Sequence, residues 1–258
     1  CMEQGFKAYS GGTLQRIIGA CTDRLWKSLA FGIVSTTLVQ SSSLVSVVTI
    51  SFLSAELIGL REGIGIIFGA NLGTTTGAWL IAGFGLNVKL SAYALPMLVF
   101  GVLLLMQASR RLKGFGWVLM GIGFLFLGID YMKEGFASYS DQIDLTRYAM
   151  TGIAGLLAFT FAGIVATVVM QSSHATLTLI ITALAAGQIS YENALALAIG
   201  ANVGTTITAI LGAIGANAAG KRLAAAHLVF NVVTGIAALV FIQFLLAAVD
   251  SLGNLLGI

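Results

Sequence analysis

Charge is scarce in this sequence. It has 13 Lys and Arg and 10 Asp and Glu among 258 residues, or 9%, where a soluble domain carries about 25%. So little charge excludes a soluble globular enzyme, a disordered chain and a nucleic-acid binder. Proline is nearly absent too. One proline beside 32 glycines fits helices that approach closely through small residues. The two cysteines, Cys1 and Cys21, form no metal-binding or disulfide pattern, and no cleavable signal peptide is read. The opening Cys1-Met2-Glu3 lacks an initiator methionine and reads as the start of a fragment or trimmed chain. A missing N-terminal helix or C-terminal domain is therefore left open.

What fills the chain instead is apolar. Apolar residues make up 58% and the mean hydropathy is +0.98. The windows 28–55, 63–88, 90–109, 114–129, 148–191, 193–220 and 223–249 contain no charge at all and together hold 189 residues. A helix crosses a bilayer with about 20 mostly apolar residues. The chain therefore reads as an all-α polytopic membrane protein. The windows are continuously apolar rather than alternating with period two, which excludes a transmembrane β-barrel. The net charge of +3 needs no anionic partner and reads as a positive-inside bias.

The sequence repeats itself. Gly32-Ile33-Val34-Ser35-Thr36-Thr37-Leu38-Val39-Gln40-Ser41-Ser42-Ser43 returns as Gly163-Ile164-Val165-Ala166-Thr167-Val168-Val169-Met170-Gln171-Ser172-Ser173-His174, an offset of 131. At the same offset Gly69-Ala70-Asn71-Leu72-Gly73-Thr74-Thr75 returns as Gly200-Ala201-Asn202-Val203-Gly204-Thr205-Thr206. Between 32–76 and 163–207 there are 17 identities in 45 ungapped positions. Apolar composition gives chance matches of Ala, Ile and Leu, but not two polar motifs in matched register. The domains predicted are an interfacial amphipathic segment at 1–27, membrane repeat 1 at 28–109, a linker helix with loops at 110–147, membrane repeat 2 at 148–249, and a tail at 250–258. Within the first segment Leu14, Ile17, Ile18, Cys21 and Leu25 fall at helical spacing among Arg16, Asp23, Arg24 and Lys27.

Parity separates two topologies. If every window crosses once, the two repeats share one orientation. If the first window of each repeat dips in and returns, the repeats are inverted. The second arrangement places eight basic residues, including Arg110, Arg111 and Lys113, on one side against three on the other. It satisfies the positive-inside rule better than the 7:4 split of the first. Inverted repeats with broken helices are also a recurrent transporter architecture. The predicted fold is thus two inverted-topology repeats with re-entrant helical hairpins and broken helices. Gln40 to Ser43 lies about 12–15 residues from each edge of its window, so each arm is roughly 20 Å long. A polar turn at bilayer depth is tolerable only inside protein or facing a watery cavity.

Gln40, Ser41, Ser42, Ser43, Gln171, Ser172 and Ser173 supply neutral amides and hydroxyls. Their oxygens suit a hard cation such as Na+, and their hydrogens suit an oxyanion. A half-helix starting at each motif would aim its free N–H groups and positive dipole end at the same place. The ordinary alternative is that these hydroxyls bond back to helix carbonyls or glue helices together. In the second motif pair, the glycines around Asn71 and Asn202 are expected to loosen the helix and free carbonyls. Thr74, Thr75, Thr205 and Thr206 would then cap the next half-helix. The competing reading is close packing of the Gly-x-x-x-Gly type, and both can hold together. His174 stands where repeat 1 has Ser43; substrate contact, titration and a satisfied buried imidazole are all open to it. His227, Asp130 and Asp250 read as structural or interfacial. No Lys or Arg lies inside any window, so a bound anion must be held by dipoles, hydroxyls and co-bound cations.

The paired Gln-Ser-Ser and Gly-Ala-Asn-x-Gly-Thr segments resemble those of the type II sodium–phosphate cotransporter family, over roughly residues 10–250. The resemblance implies inverted repeats with re-entrant segments. It implies Na+-coupled symport of inorganic phosphate by alternating access, with the lipid bilayer as surroundings. It further implies a shared site lined by Gln40, Ser41, Ser42, Ser43, Gln171, Ser172 and Ser173, extended by Asn71, Thr74, Thr75, Asn202, Thr205 and Thr206. Na+ would be held by a subset of the same residues, with no other cofactor. His174 departs from the family pattern. Bacterial members often carry a further C-terminal helical regulatory domain that these residues do not include. The expected location is multi-pass in a bacterial inner membrane, and a homo-oligomer is left open. Another small oxyanion, proton coupling, or a non-transporting phosphate sensor are the alternatives. A hydrolase is disfavoured, because Ser173 and His174 are adjacent on a helix and point about 100° apart.

Overall fold

The computed structural model describes residues 22–80, 91–139 and 152–256. Those residues form eleven helices and no strand. In chain order they are α1 (Leu25–Val39), α2 (Ser42–Ser54), α3 (Leu60–Leu80), α4 (Ser91–Leu105), α5 (Arg110–Tyr139) and α6 (Gly152–Met170). There follow α7 (Ser173–Ala185), α8 (Tyr191–Gly204), α9 (Thr206–Gly212), α10 (Ala218–Val240) and α11 (Ile242–Leu256). The all-α expectation holds. The amphipathic segment expected at 1–27 lies mostly outside the described residues. Of its C-terminal part, Asp23 pairs with Lys27 at 2.7 Å just before and within the first turn of α1.

Burial is inverted relative to a water-soluble protein. Fully buried positions include Ser28, Thr36, Ala70, Thr182, Ala196 and Ala201, while Leu38, Trp79 and Ile153 are 76–78% exposed. A chain in water would hide the large apolar groups. In lipid they are in their own solvent, and helices associate through small residues and hydroxyls. Four helices or helix pairs are long and apolar enough to cross a membrane: Phe115–Met132, Gly152–Met170, Tyr191–Gly212 and Ala218–Val240.

The helices divide into two compact units. In the unit made of residues 22–77, 152–177 and 192–256, glycines set the helix directions. Leu25 and Ser28 lie against Gly65, Leu29 and Ile33 against Gly69, and Ile33 and Thr36 against Gly73. Contacts therefore rise together along α1 and α3. The two helices are parallel, and α2 between them must run back. The first window is a helical hairpin. Repeat 2 follows the same register: Thr160 and Ile164 lie against Gly200, and Ile164 and Thr167 against Gly204. A Cβ added at Gly32, Gly69, Gly163 or Gly200 would fall on a carbonyl oxygen of the facing helix. The Gly-x-x-x-Gly packing reading is thus what these residues do.

α10 is also parallel to α3, through Leu223 against Gly63 and Phe68 stacked on Phe230 with ring centroids 4.0 Å apart. α8 and α9 lead into α10 through residues 213–217, and α10 returns past them with Gly235 against Ile199 and Val203. α2 runs antiparallel to α10. Asn217 accepts from Gly220 N at 3.0 Å, capping α10, and donates to Ser54 O at 3.1 Å. Val45, Ile50 and Leu53 of α2 join Ile66, Ile67, Ala209 and Leu223 in one apolar core.

In the second unit, α4 packs on α5 with Gly101 and Gly116 facing each other and Gly123 against Ala94 and Leu98. Pro96, the single proline, sits inside α4. α5, 30 residues long, is the linker helix expected between the repeats.

Three expectations change. The helix around Asn71 is not loosened, since α3 runs unbroken from Leu60 to Leu80. Its counterpart is interrupted only at Thr205, which keeps a right-handed conformation and makes no cap hydrogen bond. The window 223–249 is not one element: it divides at Phe241 into α10 and α11.

Candidate functional site

Each Gln-Ser-Ser motif is a helix break. α1 ends at Gln40 with φ 55° and α6 ends at Gln171 with φ 53°. A left-handed conformation costs a non-glycine residue about 1–2 kcal/mol, and the same strain occurs at both equivalent positions. It is partly offset by the side chains. Gln40 Nε2 donates to Thr37 O and Gln171 Nε2 to Val168 O, both at 2.6 Å. Gln40 Nε2 also reaches Thr76 Oγ1 at 3.3 Å, and Gln171 Oε1 accepts from Thr208 Oγ1 at 3.3 Å. Gln40 thus fastens its turn to α3, and Gln171 fastens its turn to α9.

The next residue caps the returning helix. Ser41 Oγ accepts from Leu44 N and Ser172 Oγ from Ala175 N, both at 3.2 Å. These hydroxyls satisfy donors of α2 and α7 that would otherwise be orphaned. Ser42 and Ser173 are buried, while Ser43 and His174 are half-buried. The hairpins also leave their turns alike. Glu56 (φ 59°) and Gly187 (φ 69°) stand at equivalent positions. Around them Leu57 N bonds to Phe52 O and Gln188 N to Ala183 O, each at 2.9 Å, the Schellman pattern.

The two motifs meet at Gly77. A Cβ there would fall on the His174 ring and lie 2.7 Å from Gln40 Oε1. Hence His174 of repeat 2 and Gln40 of repeat 1 both crowd one glycine of α3. Repeat 2 has Thr208 at the place of Gly77, just as it has His174 at the place of Ser43.

The threonines bond back to carbonyls three or four residues earlier. Thr74 Oγ1 donates to Ala70 O and Thr205 Oγ1 to Ala201 O, both at 3.0 Å. Thr75 donates to Leu72 O and Thr206 to Val203 O, both at 2.7 Å. Back-bonding of this kind replaces the capping role expected for them. Asn71 and Asn202 are not equivalent in their surroundings. Asn71 Nδ2 donates to Asn231 Oδ1 at 3.4 Å, and its Oδ1 lies 3.3 Å from His227 Nε2. Asn202, half-buried, makes no side-chain hydrogen bond among the described residues. A second asymmetry lies below the turns: Thr167 Oγ1 donates to Thr176 Oγ1 at 3.0 Å, whereas Thr36, with Val45 at the place of Thr176, has a buried hydroxyl without a partner among the described residues.

Sequence reasoning did not single out Gly77, Thr208 or Asn231, gave Thr76 only a capping role, and read His227 as structural. His227 and Asn231 stand at i and i+4 in an otherwise apolar window, which was the available signal. Gly77 carried none, because its role is to be absent where others meet.

The sequence matches the Na+/Pi-cotransporter family over residues 1–134 and 145–256. Among curated proteins it is 29% identical over 230 residues to "Uncharacterized protein YqeW" of Bacillus subtilis, covering 88% of this chain and 71% of that one. It is 30% identical over 241 residues to "Putative inorganic phosphate export protein YjbB" of Escherichia coli, covering 91% of this chain and 42% of that one. With the protein of the same name from Salmonella typhimurium the figures are 29%, 248 residues, 94% and 44%. The chain thus spans less than half the length of these YjbB proteins. No solved structure matches it.

Proposed function

This chain belongs to the Na+/Pi-cotransporter family, and from that premise we propose that it moves inorganic phosphate across a bacterial cell membrane together with Na+. The site is the pair of Gln-Ser-Ser turns, with Gln40, Ser41, Ser42, Ser43, Gln171, Ser172, Ser173 and His174 as first candidates. Asn71, Thr74, Thr75, Asn202, Thr205 and Thr206 stand behind them. The observation that carries this reading is the meeting of Gln40 and His174, one from each repeat, at Gly77. Two motifs separated by 131 residues share one place, as a single substrate site requires. The termini of α2 and α7 start there, and helix N-termini favour anions.

Charge sets the coupling. The apolar windows contain no Lys or Arg, so helix dipoles and hydroxyls face a phosphate charge alone. A co-bound Na+ offsets that charge, and its affinity and that of phosphate then rise together by reciprocal linkage.

Inverted topology is part of the proposal. It is supported by α1 running parallel to α3 and by α3 running parallel to α10 while α8 and α9 turn back before α10. By these directions α3 and its repeat-2 counterpart point opposite ways. Alternating access then follows by rocking one repeat against the other around the shared site.

The test is uptake of radiolabelled phosphate into proteoliposomes with Na+ outside, compared with K+ or choline. Uptake is expected only with Na+, and Gln40→Ala or Gln171→Ala is expected to raise the Na+ or phosphate concentration for half-maximal uptake roughly ten- to hundredfold. Normal Na+-dependent uptake in both variants would remove the motifs from the site. The printed name of the YjbB relatives favours a second reading, net export. An inward Na+ gradient drives a symporter inward, so phosphate efflux that is faster without external Na+ would favour export.

A further inference from the structure

Asn71 is held at both ends of its amide by one face of α10. His227 and Asn231, at i and i+4, are 1% and 0% exposed, and reach the Asn71 Oδ1 at 3.3 Å and Nδ2 at 3.4 Å. An amide oxygen only accepts, so Nε2 carries the imidazole proton. Nδ1 is then the bare nitrogen, buried and without a hydrogen-bond partner among the described residues. Asn231 Nδ2 in turn donates to His227 O at 2.9 Å, which fixes its own amide. One turn before Asn71, the Phe68 ring lies on Phe230, between the two holders.

This buried polar arrangement has no copy in the other repeat. At the offset of 131, Pro96 and Phe100 stand where His227 and Asn231 stand, and neither can hold an amide. It is also costly for the fold alone: one buried nitrogen is left unsatisfied, a loss that an apolar pair of the same shape would avoid. What it gains is register. Asn71 precedes Gly77 by six residues on the unbroken helix α3, about 9 Å along the axis. Holding the Asn71 amide fixes the rotation and height of α3 against α10, and so fixes where Gly77 sits beneath Gln40 and His174.

We propose that His227 and Asn231 are positioning residues: they hold the Asn71 amide and thereby set the register of α3 that places Gly77 at the meeting point of the two motifs. This rests on the reading of that meeting point as the phosphate site.

The test is phosphate uptake by the full chain in proteoliposomes, with half-saturating phosphate as the readout. His227→Phe keeps the bulk and removes the donor; it is expected to raise the half-saturating concentration about tenfold. His227→Gln, which can return an N–H to the same oxygen, is expected to stay within about threefold of the parent. A role in folding alone would lower the amount of protein without moving half-saturation. In the cycle with Asn71→Ala, the double variant is expected to be no worse than Asn71→Ala alone, because both remove one device. If His227→Phe does not accumulate in the membrane, Asn231→Ala replaces it in the cycle. Parental half-saturation in His227→Phe, or losses that multiply in the double variant, would overturn the positioning role while an impaired Gln171→Ala left the site reading intact. Unimpaired Gln40→Ala and Gln171→Ala would overturn both.

Discussion

At the scale of single residues, the two repeats differ in complementary ways. Repeat 1 has the small Ser43 and Gly77 where repeat 2 has the larger His174 and Thr208. The His174 ring occupies the space a side chain at Gly77 would take. Gly77→Ala is therefore expected to push the ring and the Gln40 amide aside, at about 1 kcal/mol, the low end of overpacking, because both are side-chain ends that can swing away. Phosphate uptake should fall at least tenfold. Adding His174→Ala removes the clashing ring, so the double variant is expected to regain the thermal stability lost in Gly77→Ala. A double variant no more stable than Gly77→Ala would mean that the ring is not what the methyl group meets.

At the scale of the element, the helix breaks are the informative feature. A motif of one amide and two or three hydroxyls in the middle of an apolar window added to the parity of crossings and the basic-residue split in pointing to a hairpin, because such groups are tolerated in lipid only where they are enclosed. The backbone at the break was not legible. Glutamine is a poor left-handed residue, and nothing in its neighbours announces φ near 55° at Gln40 and Gln171. This separates two contributions of one position. Gln171→Ala and Gln171→Gly both delete the amide, and both are expected to raise the Na+ or phosphate concentration for half-maximal uptake. Only glycine relieves the left-handed backbone, so Gln171→Gly is expected to be the more stable by about 1 kcal/mol. Equal melting temperatures in detergent would argue that the turn relaxes when the side chain is removed.

Other elements misled because local signals were outweighed. The glycines near Asn71 suggested a loose helix, yet the facing carbonyls of α1 pack on them and hold α3 straight. The threonines suggested caps, but each finds a carbonyl of the preceding turn within 3.0 Å. The division at Phe241 lies between Val240 and Ile242, with no charge, glycine or proline to mark it. The link from His227 to Asn71 joins residues 156 apart, beyond the reach of any local pattern.

At the scale of the whole molecule, topology is the open expectation. Glu56 follows the first hairpin, and Glu192 follows the second in the first turn of α8. With inverted repeats these two positions lie on opposite faces of the membrane. Single cysteines placed there, in a chain whose own Cys1 and Cys21 are replaced, are expected to react with an impermeant thiol reagent from opposite sides of oriented vesicles. Labelling of both from one side would refute the inversion.

Under the proposed transport by inverted repeats, the sequence differences around Gly77 have an energetic consequence. Two inverted copies with identical side chains would make the inward-open and outward-open states mirror images, degenerate in energy when no gradient or voltage acts on them. Every residue that differs between the copies lifts that degeneracy. His174 packs against Gly77 where both motifs meet, whereas the equivalent positions carry Ser43 and Thr208, and this is one such difference. A bias of about 1.4 kcal/mol would already populate one state tenfold over the other. If the chain works by alternating access, the resting orientation of the empty carrier is set by such side-chain differences, independent of any ion gradient.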